Sequence, residues 1–345
     1  MTKADEGGSN REHTLAITQL QTSLQAASMY LSTGPSLVSS STFPPSIPPP
    51  IPIPNPIPPP IPNPIPNPKQ TTINQFTFRR EITEPAHANR KLCRANKIPS
   101  SPLQSAFVQA HLIVLPNKAS SHDFMMFSLL NKLPIFDTCP EGNYTPSAVA
   151  SWADLRTDLP SYDIIRGGLT SPQSPFLDVK SLWPSSSISF LLLSNSIFDK
   201  LLIDANLTSR SLELNSSPPK FIAKKLKMRT SGGIIGGRVV VEMRPFKGAE
   251  VGKVLAVLAG LPDKIGVPIW CGVDGGGIGV DLGKPLNVRD GSVAVLKDEI
   301  CIFHVCAYST SVEHLKLAGG AGGIDQIITS GEGSLLMTDV RLSEL

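Results

Sequence analysis

The feature that most limits what this chain can fold into is a run from Pro44 to Pro68, where fifteen of 25 residues are proline. Proline locks φ and offers no amide donor, so neither a helix nor a sheet ladder can be built through such a run. Four tetrads follow one another within it, Ile53–Pro56, Ile57–Pro60, Ile61–Pro64 and Ile65–Pro68. Polyproline II is the conformer left, at about 3.1 Å per residue, or roughly 75 Å for the tract. Its three-residue turn does not match the four-residue repeat. Ile47, Ile53 and Ile65 fall on one edge of the rod, Ile51 and Ile57 on a second, and Ile61 on the third. A ligand for an aromatic-lined groove keeps its apolar residues on one edge and adds a flanking cation. Here the isoleucines are spread around the rod and the nearest cation is Lys69. The tract therefore reads first as a spacer arm, and second as a contact for protein partners.

The rest of the chain is expected to organise around that arm. Pro and Gly number 33 and 27, while aromatic residues make up only 6% of the 345. Aromatic side chains supply the largest burial per residue, so a core smaller than the length suggests is expected. Residues 1–100 read as a disordered arm, with a helix over 12–33, the proline-rich tract 44–68 and a basic segment 69–100. Seven cations face two acids in that basic segment. Residues 101–231, interrupted by Ser-Pro pairs, read as irregular and weakly structured. Residues 232–309 read as a small α+β domain, and 310–345 as a Gly-rich C-terminal tail. The fold class expected is thus a mostly disordered or irregular N-terminal two-thirds with a small α+β domain near the C-terminus.

Periodicity supplies the elements of that domain. Arg238–Met243 is rich in β-branched residues and reads as a strand ended by Pro245. Val251, Val254, Leu255, Leu258 and Leu261 recur at helical spacing, which predicts a helix over 249–261 stopped by Pro262. Val267–Val273 reads as a strand, Asp274–Gly277 as a turn and Ile278–Leu282 as a return strand. Ser292–Leu296 and Ile300–Ala307 read as a hairpin across Lys297-Asp298-Glu299.

Motifs that carry chemistry are incomplete. Cys301-x-x-His304-x-Cys306 has the residue types of a metal site, but strand alternation puts His304 and Cys306 on one face and Cys301 on the other. Ordinary packing is the expectation, with no metal. The Asp274–Gly279 segment resembles the Asp/Gly phosphate-binding hairpin of actin-like sugar kinases. That resemblance implies a two-lobed fold, for which the 71 residues after Asp274 are too few. Gly319–Gly323 lacks the lysine of a P-loop. No nucleophile elbow or paired-carboxylate pattern appears, so no catalytic residue and no cofactor is assigned.

Charge and cysteine usage set the expected surroundings. Five cysteines, irregularly spaced, point to a reducing compartment. The net charge of +3 is too mild to argue for nucleic acid. Neither a secretory signal nor a membrane span is expected, which places the chain in the cytoplasm or nucleus. Lys224, Lys225 and Lys227 fit the basic pattern of a nuclear import signal. The function read from sequence is a non-enzymatic interaction or regulatory protein with a proline-rich spacer. A small-molecule or phosphate-binding domain on the glycine turns of 274–323 is the alternative, and an open reading frame without selected function the third.

Overall fold

The computed structural model describes residues 84–98, 100–101, 105–214, 216–231, 233–236, 238–259, 268–286 and 295–345. The expected 12–33 helix, the proline tract and the basic segment up to residue 83 lie outside the described residues.

Strand β1 (Phe107–Leu115) organises the larger sheet. Its sequence, FVQAHLIVL, is apolar on both faces at most positions, and eight of its nine residues are buried. A strand that reads this way needs cover on both sides and takes a central place. One edge of β1 pairs antiparallel with β5 (Ile188–Leu193), from Ala110↔Leu193 to Leu115↔Ile188. Its other edge is shared end to end. β12 (Ile327–Ser330) takes Ile113 and Val114, whereas β13 (Leu336–Arg341) takes Phe107, Gln109 and Ala110. The chain leaves the sheet between β12 and β13, opposite His111 and Leu112. Ser330 Oγ closes that break by accepting from the Leu112 amide at 2.7 Å. β2 (Ile135–Cys139) flanks β5, and β3 (Tyr162–Arg166) and β4 (Leu169–Thr170) lie beyond β12.

A second antiparallel sheet has the order β10-β11-β9-β6, from Pro268–Gly272, Glu299–Val305, Val239–Lys247 and Lys220–Ala223. Alternation decides its faces. Cys301 and Phe303 of β11 join Phe221, Val241 and Met243 in one cluster, while Ile302 turns to the opposite face and the main core. A two-stranded ribbon follows β6, built from β7 (Lys227–Thr230) and β8 (Gly233–Gly236).

Six helices pack around the sheets among the described residues. α1 (Glu84–Arg94) is tied down by buried charge rather than by apolar area. Arg90 reaches Asp339 of β13 at 3.1 Å with both side chains fully buried. It also donates to Met337 O at 2.8 Å and to Ser151 O at 3.0 Å. One turn later, Arg94 grips Asp158 with two nitrogens. α2 (Lys118–Leu130) starts at Asn117, whose side chain accepts from the Ser120 amide. α3 (Ser196–Asp204), α4 (Arg210–Glu213), α5 (Val251–Ala259) and α6 (Ala307–Gly320) complete the set. Among the described residues, no helix is long and apolar enough to cross a membrane.

The α+β class with antiparallel sheets holds, but the fold is not small. Residues 107–230, expected to be irregular, supply strands β1 to β7 and helices α2 to α4. The expected tail after residue 310 carries most of α6 together with β12 and β13. β1 and β5 carry no clear strand signal because each is short and apolar on both faces, and their pairing is set by residues about 80 positions apart.

Inside the expected domain, three elements differ. β9 runs through Pro245 to Lys247. Its amide-bearing side toward β6 is last used at Met243, which donates to Pro219 O at 3.0 Å. Pro245, two residues on, points its missing donor where β6 has ended, so the strand tolerates it. Ile278–Leu282 makes no return strand; Gly276–Ile278 is a 3₁₀ turn instead. β11 is an inner strand, paired with both β9 and β10, and most of the other expected hairpin arm, residues 292–294, lies outside the described residues.

Candidate active site

Three strands of the second sheet bring a cation, a carboxylate and an imidazole into one row. Lys220 of β6 lies opposite Glu242 of β9, and Glu242 lies opposite His304 of β11. Directly opposed residues share a face, so the three side chains stand side by side. Cys306 follows His304 at the end of β11 and is the N-cap residue of α6.

Glu242 is the centre of this arrangement. Its Oε2 accepts from Asn195 Nδ2 at 3.0 Å and from Arg244 at 3.2 Å. Its Oε1 faces Lys220 Nζ at 3.8 Å, within ion-pair range but beyond a hydrogen bond. Burial alone would raise the carboxyl pKa. The Arg244 and Lys220 cations, helped by the Asn195 amide, outweigh it and hold the group below its ordinary value. Glu242 is therefore an anion at neutral pH.

Arg244 sits behind it, 1% exposed. Burial opposes its charge, but Asp199 and Glu242 keep the guanidinium above its usual pKa. Asp199 accepts from two of its nitrogens, at 2.7 and 2.9 Å, and Asn195 O accepts from it at 3.2 Å. This fork-to-fork geometry fixes orientation as well as charge.

The remaining groups differ in charge state. The Lys220 ammonium is held above its ordinary pKa, by the Cys306 sulfur once that group ionises at high pH and by the Glu242 carboxylate throughout. Burial pushes the Cys306 thiol itself up. The sulfur is thus a neutral thiol near pH 7, donating to Ser309 Oγ at 3.1 Å, and Glu242 is the anion that faces Lys220 there. His304 is 1% exposed and packs on Phe198 with ring centroids 4.2 Å apart. Burial, and then the Arg244 cation, push its pKa well down, so the ring is neutral.

The larger sheet closes the other side. His111 of β1 stacks on Tyr308 of α6, with centroids 3.9 Å apart and planes 3° from parallel. The Tyr308 hydroxyl donates to Ser330 O, at the break between β12 and β13. Burial, and then the Lys220 charge, lower the His111 pKa, so this imidazole too is neutral. Glu332, exposed just past Ser330, adds negative charge within reach of Lys220. Lys220 keeps 28% of its side chain exposed, so the cation end of the row is open to solvent. The site combines a fixed anion, an accessible cation and neutral proton-bearing groups. That set suits proton transfer to and from a small charged molecule. Among the described residues, no group of three His, Cys, Asp or Glu side chains is placed to hold a metal ion.

Residues 188–339 match the D-glutamate cyclase family. That segment contains every residue of the Lys220–Glu242–His304–Cys306 row, with Asn195, Asp199, Arg244 and Tyr308; His111 lies before it. Curated relatives extend the likeness over most of the chain. A "Putative hydro-lyase" of Thermoanaerobacter sp. (strain X514) is 28% identical over 271 residues, 76% of this chain and 95% of its own length. One from Geobacillus kaustophilus is 29% identical over 267 residues, 74% of this chain and 94% of its own. YcsI of Bacillus subtilis, under the same description, is 29% identical over 262 residues, 73% and 95%. Among solved structures, a nitrogen repressor-like protein of Methanococcus jannaschii aligns at a TM-score of 0.32 and 13% identity, over 75% of this chain and 96% of that one. That value is below the level of a shared fold.

The match to D-glutamate cyclase and to hydro-lyases points to an enzyme. It overturns the expectation of a non-enzymatic interaction or regulatory protein, together with its two alternatives. A disordered, proline-rich binding protein is likewise the wrong description of residues 188–339, which form a packed α+β structure.

The lysines singled out from sequence do not join the site. Lys224 and Lys225 occupy the exposed turn after β6, and Lys227 opens β7. Lys225 Nζ donates to Gly276 O at 2.7 Å, which ties that turn to the glycine segment after β10. Lys220, from the same basic stretch, is the cation that stands in the row. Strand alternation alone assigns His304 and Cys306 to ordinary packing. The overlooked signal was Glu242 and Arg244, two apart inside the apolar run VVVEMRPF. Two charges on one face of an otherwise apolar strand must be paired when buried.

Proposed function

We propose that this protein is a hydro-lyase that closes D-glutamate, or a closely related amino dicarboxylic acid, into its lactam with loss of water. The observation that carries the reading is that the D-glutamate cyclase match spans the whole Lys220–Glu242–His304–Cys306 row. A cyclase and a hydro-lyase describe one reaction when ring closure releases water. The balance is simple. The α-ammonium gives up two protons, the side-chain carboxylate loses one oxygen, and these leave together as H₂O. Substrate and product each carry net charge −1, so no oxidant, reductant or net proton is required.

Lys220 pairs with the side-chain carboxylate, and Glu242 takes the first proton from the ammonium. The freed amine attacks the carboxyl carbon and the C–N bond forms. The departing oxygen takes one proton from Lys220 and one from Glu242, and the C–O bond breaks. The second nitrogen proton returns to Lys220, so both groups end as they began. Holding amine and carboxyl in the extended row makes the closure geometrically favoured.

The test is conversion of D-glutamate to the lactam, followed by chiral chromatography in both directions. Lys220→Met and Glu242→Gln should each lower kcat/KM by roughly 10²–10³-fold, on the scale of losing one charge-stabilising group. Their circular dichroism should match the parent. A parent protein inactive in both directions, or both variants at parental rate, would refute the assignment.

A further inference from the structure

We infer that Asn195 and Arg244 are positioning residues that clamp one oxygen of Glu242 so that the other is presented to the reacting nitrogen. This rests on the reading of Glu242 as the proton acceptor. The two oxygens are treated differently by the fold. Oε2 has two donors, Asn195 Nδ2 at 3.0 Å and Arg244 at 3.2 Å. Among the described residues, Oε1 faces the Lys220 ammonium at 3.8 Å and carries no hydrogen bond comparable to those on Oε2.

Neither donor is free to follow a turning carboxylate. Asn195 Nδ2 also donates to Val305 O of β11 at 3.2 Å, so the amide bridges two elements. Arg244 is held by both Asp199 oxygens and by Asn195 O. A carboxylate with one oxygen tied twice cannot rotate about its last bond without breaking charge-assisted hydrogen bonds. Oε1 is thus kept on the Lys220 side of the carboxylate, next to the cation that would hold the substrate carboxylate.

The groups facing Glu242 are Arg244 on its own strand, Lys220 from β6, His304 and Cys306 from β11 and its end, and Asn195 with Asp199 from the start of α3. Of these, Asn195 can be changed without altering any charge. It is also partly exposed, so truncation opens no sealed core cavity.

The experiment uses the full chain with Asn195→Ala and Arg244→Lys. Asn195→Ala should lower kcat roughly tenfold or more, the usual scale for one hydrogen bond to a charged group, with KM little changed. The acidic limb of the kcat/KM profile should move to higher pH, because the carboxylate loses a donor that favours its charged form. A second readout needs no activity. The carboxyl carbon of Glu242, labelled with ¹³C and assigned through Glu242→Gln, should titrate at higher pH in Asn195→Ala than in the parent. Arg244→Lys keeps the charge but loses the fork, and should lower kcat without restoring the parental profile. An unmoved ¹³C midpoint in folded Asn195→Ala overturns this inference alone. A parent protein that titrates as described but does not act on D-glutamate overturns the proposed function alone.

Discussion

His304 should make the folded protein measurably acid-sensitive by a predictable amount. Its ring is 1% exposed, and neither nitrogen has a hydrogen-bond partner among the described residues. Burial and the facing Arg244 cation depress its folded-state pKa well below 6.5. The sign follows from where the proton prefers to bind. Below about pH 6.5 the unfolded chain protonates this histidine while the folded protein does not, so acid favours unfolding. The stability it allows is complete above 6.5 and is lost as pH falls from there toward the folded value. One proton taken up only by the unfolded chain costs about 1.4 kcal/mol per pH unit, or roughly 2 kcal/mol between pH 6.5 and 5. Urea unfolding at a series of pH values measures this directly. His304→Phe keeps an aromatic ring against Phe198 and removes the titration. The stability difference between parent and variant should change by roughly 2 kcal/mol over that interval, in the direction that favours the variant at pH 5. Parallel curves for the two proteins would mean that the imidazole is already charged in the fold, and the neutral-ring argument would be wrong.

Two further perturbations test how the scaffold holds the site. Asp339→Ala leaves Arg90 as an unpaired cation in the interior and should cost about 3–5 kcal/mol in chemical denaturation; a loss below 1 kcal/mol would show that α1 is not anchored there. Gly168→Ala places a Cβ 2.4 Å from Lys316 O at a φ of +78°, so β3–β4 and α6 must separate. A loss of more than about 1 kcal/mol is expected in thermal unfolding, and an unchanged midpoint would contradict the close approach.

Where the fold was legible, one element carried its own evidence. The period of Val251, Val254, Leu255 and Leu258 marks the buried stripe of α5, and each of those residues is buried. The alternation argument around Cys301 and His304 likewise describes β11 correctly. Where it failed, the evidence lay far away in sequence. β1 owes its cover to β5 some 80 residues later and to β12 and β13 more than 200 residues later. Short apolar runs such as FVQAHLIVL and ISFLLL suit a buried strand or a buried helix segment equally well. Serines and prolines between them looked like irregular chain, yet several of those serines are structural. Ser101, Ser161 and Ser334 all make buried hydrogen bonds near the β12–β13 break.

The site was missed for a related reason, and the reason bears on function. Lys220, Glu242 and His304 are separated by 22 and 62 residues, and only strand register makes them neighbours. No motif of fixed spacing can encode such a row. What the sequence does display is its cost. Burying a glutamate, an arginine and an unpartnered histidine between apolar strands opposes folding, and packing alone has no need of it. Hydrophobic residues at 242, 244 and 304 would extend the surrounding VVVxMxPF and ICIFxV patterns without a break. Departures of this kind, where local pattern is broken by charge that must then be paired at a distance, concentrate where a protein does chemistry. The depressed Glu242 and elevated Lys220 pKa values extend the pH range over which both stay charged, so an anion and a cation face one another across 3.8 Å through the whole neutral region. A zwitterionic substrate presents the complementary pair of charges, so under the proposed function this ion pair would open to seat it.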